Sequence, residues 1–231
     1  MTRRPFIVAV DGPAGAGKST ASKILARRLE FSLVDTGAIY RSAALIASGR
    51  GLSMEDESQL VELLERMRLK FQVAGDENRV FLDGQDVTAA IRAPAVSMIA
   101  SRISANPSVR KALLPLQRKL ALQAEGGAVL EGRDIGTVVF PDADAKFFLD
   151  ASPEIRARRR YEELFQKGVE LSMTQVLADQ TKRDRDDSTR EIAPLRPAED
   201  AIVLDSSLLP VSEVVQAMER IVRQRMAAGS T

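Results

Sequence analysis

Residues Gly12 to Ser19 read GPAGAGKS and fit the phosphate-binding pattern G-x-x-x-x-G-K-[ST]. The pattern constrains the fold because it works only between a strand and a helix. Both flanks are present. Phe6-Ile7-Val8-Ala9-Val10 is a continuous apolar run, as a parallel strand buried on both faces requires. Ala21, Ile24, Leu25 and Leu29 follow at helical spacing. The glycines let backbone N–H groups converge on phosphate oxygens. Lys18 brings a mobile cation for the β- and γ-phosphates, and Ser19 offers a hydroxyl to Mg²⁺. The dipole of the helix that follows favours anions. A glycine-rich turn without function is the bland alternative, and the two flanks weigh against it.

Four further strand-like segments alternate with helical ones, which predicts an α/β fold with a mostly parallel sheet. They are Ser32 to Val34, Ala128 to Leu130, Lys146 to Leu149 and Ala201 to Leu204. The later three run into polar clusters at Glu131 to Asp134, Asp150 and Asp205. Ligands in open α/β sheets sit beyond the carboxyl ends of strands, so chemistry is expected there. Strands two and three are too far apart for a plain crossover. The interval holds a helical stretch (Leu60, Leu63, Leu64, Met67) and a hairpin, Leu69 to Val73 and Arg79 to Leu82, around a Gly75 to Asn78 turn. Asp83-Gly84 marks a second turn, and Asn106-Pro107 opens a helix that Pro115 is expected to kink or split. A second insertion begins with the helix capped by Ser152-Pro153 and ends in the charged run TKRDRDDSTR. The final helix packs Val214, Val215, Met218, Ile221 and Val222 on the sheet. Ala227 to Thr231 is expected to fray.

Composition removes whole classes of chemistry. Among 231 residues there is no cysteine and no histidine, so disulfides, thiolate metal sites and the commonest general base are absent. The 33 basic and 32 acidic residues nearly cancel, which argues against a nucleic-acid-binding surface over the whole molecule. No apolar stretch approaches the ~20 residues of a membrane span. A soluble cytoplasmic monomer, touching neither membrane nor nucleic acid, is the expectation. Lysine, arginine, carboxylates, hydroxyls and Mg²⁺ remain, a set suited to phosphoryl transfer.

Arginines are the natural partners of a phosphoryl group in flight, since the fork matches phosphate and the charge is permanent. Arg41, Arg133, the helix bearing Arg156, Arg158, Arg159 and Arg160, and the Arg183, Arg185, Arg190 segment are placed to face one cleft. Lys18, Arg133, Arg190, Arg158 and Arg160 are the candidate catalytic cations. The competing reading makes the arginine helix a solvated face with ion pairs such as Arg158 with Glu162. Asp150 and Asp205, each ending an apolar run, could assist Mg²⁺ or simply cap turns. Glu131 is assigned no role.

The phosphate loop, DTGAIYR (Asp35 to Arg41), EGRDIGTVVFPDA (Glu131 to Ala143), FFLDAS and RDRDDSTR together resemble the bacterial cytidylate kinases. The resemblance runs through roughly residues 5 to 226 and includes the hairpin insert of the bacterial form. It implies a three-layer P-loop fold, with a five-stranded parallel sheet flanked by helices. A small β-containing acceptor-binding insert and a helical lid complete it. It implies transfer of the ATP γ-phosphate to CMP or dCMP with Mg²⁺, in pyrimidine nucleotide metabolism. On matching positions, Gly12, Pro13, Ala14, Gly15, Ala16, Gly17, Lys18, Ser19 and Thr20 hold the ATP phosphates. Arg41, Arg133 and Arg190 grip the acceptor phosphate, with Thr36 contributing a hydroxyl. Ser101, Arg110 and Asp134 read the cytosine, Tyr40 walls its pocket, and Arg183 and Asp187 hold the ribose. Arg185 or Asp186 could stand in for the last two, because the charged run leaves its register open.

One kinase domain is expected, with a core of residues 1–35, 125–151 and 191–226. Residues 36–124 form the acceptor lobe and 152–190 the lid. Two other readings stay open here: a P-loop kinase of another nucleotide or of an alcohol, with Asp134 as base, and a nucleotide-switched regulatory module.

Overall fold

The computed structural model describes residues 4–52, 56–74, 77–166 and 168–229. The chain forms β1 (Phe6–Asp11), α1 (Lys18–Leu29), β2 (Ser32–Asp35), α2 (Thr36–Gly49) and α3 (Glu57–Glu65). A small antiparallel unit follows, β3 (Leu69–Ala74), β4 (Glu77–Leu82) and β5 (Gln85–Asp86), then α4 (Pro94–Ile103) and α5 (Pro107–Leu122). The chain returns through β6 (Gly127–Glu131), a π-helical turn (Ile135–Val139), β7 (Ala145–Asp150), α6 (Pro153–Gln166), α7 (Met173–Ser188), β8 (Ile202–Asp205) and α8 (Val211–Ala228).

The main sheet has five strands in the order β2-β6-β1-β7-β8, all parallel. The fold class expected from the strand pattern holds. β1 lies at the centre, which explains its unbroken apolar run. Ile7 and Ala9 pack on one face with Leu130, Ile39 and Leu113. Val8 and Val10 pack on the other with Leu25, Phe147 and Met218. Burying such a side chain from both layers stabilises the fold by about 1.5–3 kcal/mol each. Central placement puts the loop after β1 between the ends of β6 and β7, where consecutive connections diverge to opposite sides.

The small hairpin pairs Leu69 with Leu82 and Phe71 with Val80, and Leu69, Val80 and Leu82 are buried into the first layer. Asp83 and Gly84 have φ of 48° and 86°, as a two-residue turn with both φ positive requires. Glu77 and Asn78, expected in the other turn, belong instead to β4. Gly75 and Asp76 lie outside the described residues. Pro115 does not split its helix: α5 is continuous from 107 to 122. The C-terminal helix also extends through Ala227 and Ala228, further than the small polar tail suggested.

Candidate active site

Gly12, Gly15 and Gly17 all have positive φ, at 142°, 76° and 84°. Gly17 caps α1 in the left-handed conformation, which turns the loop directly into the helix N-terminus, where backbone amides suit an anion. Lys18 folds back over the loop, its Nζ donating to the Pro13 carbonyl at 2.7 Å. Burial first, and then Arg133 nearby, lower its pKa well below the ordinary lysine value.

Ser19 Oγ donates to Glu131 Oε2 at 2.6 Å. Glu131 ends β6, whose register sets it beside Val10 of β1 and Asp35 of β2. Burial, then the Asp35 charge, push its carboxyl up to about 7. Asp150 and Asp205 are engaged locally, Asp150 with the Ala151 amide and Asp205 with the Ser207 amide, each at 2.8 Å. The turn reading therefore describes both. Glu131 is the strand-end carboxylate beside the loop serine.

The rest of the cleft is built from α2, α4, α5 and the end of β6. Asp35 caps α2 through the Ala38 amide and pairs with Arg41 at 2.8 Å. A Cβ on Gly37 would fall 3.0 Å from Arg41 Nη1, so a glycine gives that guanidinium its room. Arg110 forms a buried ion pair with Asp134 and lies over the Tyr40 ring, 5.7 Å from its centre. Arg133 bridges the two halves of the cleft, donating to the Gly12 carbonyl and to Asp187, both at 2.9 Å. Burial alone would raise the Asp187 carboxyl. Arg133 and Arg190 outweigh it and hold it below the usual range.

Together these groups line a cleft of about 250 Å³. Six cations face it (Lys18, Arg41, Arg110, Arg133, Arg183, Arg190) against four carboxylates (Asp35, Glu131, Asp134, Asp187). Arg183 is lowered to about 10 by desolvation and by Arg133. Among the described residues, Arg41 Nε and Arg190 Nη2 are buried donors without a hydrogen-bond partner. Cations that disfavour one another around unfilled donors fit a polyanionic ligand.

Most expected site residues meet here, including Ala14, Gly15, Ser19, Tyr40 and Ser101. Three expectations change. Arg158 is exposed on α6, and Arg160 pairs with Glu163 at 2.8 Å instead of lining the cleft. It is Arg156 and Arg159 that reach the loop, donating to the Ala14 and Gly15 carbonyls. The reason is rotational: residues 156 and 159 share one helix face, and 158 points away from it. Thr36 lines the cleft, but its hydroxyl donates to the Glu131 carbonyl at 2.7 Å. That bond ties α2 to β6 and engages the hydroxyl proton that was expected for a phosphate. Ser97 and Ser104 also face the cleft. Their spacing with Ser101 on α4, i, i+4 and i+7, was the available sequence signal.

The family model described as "Cytidylate kinase" matches residues 8–224. The chain belongs to the cytidylate kinase family. A cytidylate kinase of Geobacter sulfurreducens is 52% identical over 226 residues, spanning 98% of this chain and 96% of its own length. One from Vibrio parahaemolyticus is 45% identical, covering 98% of this chain and 100% of its own. Among solved structures, an uncharacterized protein from Eubacterium ventriosum aligns with a TM-score of 0.52 and 12% identity, over 94% of this chain and 98% of that one. At that identity the likeness concerns the fold. Among the described residues no helix is long and apolar enough to cross a membrane.

Proposed function

We propose that this cytidylate kinase family member transfers the ATP γ-phosphate to CMP or dCMP, giving ADP and CDP or dCDP. The observation that carries the reading is the convergence of Arg41, Arg133 and Arg190 on a cleft whose base-facing end holds the Arg110–Asp134 pair. Cytosine presents a donor at N4 and acceptors at N3 and O2, so a carboxylate beside an arginine matches it. Uracil has an acceptor at position 4, which Asp134 repels.

The acceptor is a phosphate monoester, largely dianionic near neutral pH because its second pKa is about 6. One of its oxygens forms a bond to the γ-phosphorus as the bond to the β-phosphate oxygen breaks, and ADP leaves with that electron pair. No proton moves to a side chain, which suits a chain without histidine. An alcohol acceptor would need a base, and Asp134, the carboxylate weighed for that role, is already paired with Arg110. The residues align two polyanions and offset their repulsion. The loop amides and Lys18 take the donor, while the three arginines take the acceptor. Arg183 and Asp187 hold the ribose, residues 152–190 close over ATP, and residues 36–124 close over CMP.

Mg²⁺ fits the donors present. Among the described residues no cluster of three or more acidic, histidine or cysteine ligands exists, but Mg²⁺ keeps waters and phosphate oxygens and needs few protein groups. Ser19, backed by Glu131, would hold it, and the ion supplies charge neutralisation on the β- and γ-phosphates.

A coupled ADP-release assay with each nucleoside monophosphate tests the reading. CMP and dCMP are expected to turn over fastest; turnover of AMP or GMP without CMP would overturn it. Asp134→Asn, which keeps one acceptor but loses the charge, is expected to lower the kcat/KM ratio of CMP over UMP about tenfold, or about 1.4 kcal/mol. An unchanged ratio would remove Asp134 from base recognition.

A further inference from the structure

Asp11 ends β1 immediately before the phosphate loop, is buried and does not line the cleft. Its Oδ1 accepts the Ile135 amide and its Oδ2 the Gly136 amide, each at 2.8 Å. These are the first two amides of the π-helical turn that follows Asp134. A Cβ on Gly136 would stand 3.1 Å from Lys146 Cδ, so this glycine leaves room for the lysine stem beside the turn. The far end of the turn is held from the acceptor lobe. Arg118 of α5 donates to the Val139 carbonyl at 2.8 Å and to Val138 at 3.3 Å. Two turns earlier the same helix supplies Arg110, the partner of Asp134.

A carboxylate is the side chain that suits two convergent N–H groups, because asparagine offers one oxygen and a donor. Burial raises the Asp11 carboxyl to about 6, against the two amide bonds that favour its charge. A buried acid is costly, and here it does no chemistry on a nucleotide. It connects segments 124 residues apart.

We propose that Asp11 is a positioning residue that holds the turn after Asp134 against the end of β1, so that cytosine recognition by Asp134 depends on a carboxylate outside the cleft. This rests on CMP being the acceptor. Wild-type turnover on CMP tests that reading alone, and variant-to-wild-type ratios test this one.

Asp11→Asn is expected to raise KM for CMP about tenfold and to erode the preference over UMP, the worth of one charge-assisted hydrogen bond. KM for ATP is expected to stay within about twofold. Equal rises in both KM values, or an unchanged KM for CMP in a folded but less stable variant, would overturn the proposal. Should Asp11→Asn fail to fold, Arg118→Met decides by loosening the other end of the turn. Weaker CMP preference at constant ATP KM supports the anchor, and an unaltered preference refutes it.

Discussion

Arg133→Met is expected to lower kcat by roughly 10³-fold, the largest loss of any single arginine in this cleft. Arg133 joins two parts of the cleft: its Nη1 donates to the Gly12 carbonyl of the phosphate loop and its Nε to Asp187 of α7. Removing it takes a cation from the cleft and leaves the buried Asp187 with Arg190, at 3.7 Å, and the charge of Arg183. Arg133→Lys keeps the charge but loses the fork, so an intermediate loss of about 10² is expected. Steady-state kinetics with a thermal melt check the result. A kcat within tenfold of wild type for the methionine variant would mean that another group neutralises the transition state.

Gly12→Ala is expected to cost more than about 4 kcal/mol, enough to prevent folding or to lower Tm by roughly 10 °C or more. A Cβ there would lie 1.9 Å from the Leu149 carbonyl oxygen, and φ is +142°. The obstacle is β7 backbone beside β1, which cannot swing away as a side chain can. Gly17→Ala is the comparison. Its Cβ would meet only Arg159, at 3.9 Å, and φ is +84°. Its cost is that of the left-handed backbone, about 1–2 kcal/mol. Thermal melts of both variants settle the ranking, and a Gly17 variant less stable than the Gly12 variant would contradict the packing described.

The strands were legible because β1, β6 and β7 are buried on both faces and their apolar runs are unbroken. The phosphate loop was legible because its chemistry is local in sequence. What stayed hidden depends on adjacency or rotation. Glu131, Asp150 and Asp205 all end apolar runs. β6 and β7 both flank β1, and register sets Glu131 opposite Val10 and beside Ser19, while Asp150 lies two residues beyond Phe148, the partner of Asp11. Four arginines crowd α6, and the helix phase decides that Arg156 and Arg159, not Arg158, meet the loop. Ile135 to Val139 carries three β-branched residues in addition to Ile135, a composition that favours strands. It is a π-helical turn because Asp11 and Arg118 hold its ends across 124 and 21 residues of chain.

Position alone, with no abstracted proton, is the core of the mechanism, and a crystal structure with CMP and a nonhydrolysable ATP analogue tests it most directly. The CMP phosphate is expected within about 3.2 Å of nitrogens of Arg41, Arg133 and Arg190, with an oxygen in line with the γ-phosphorus. A CMP phosphate seated away from those three arginines, or a carboxylate interposed between the reacting oxygen and the γ-phosphate, would contradict it.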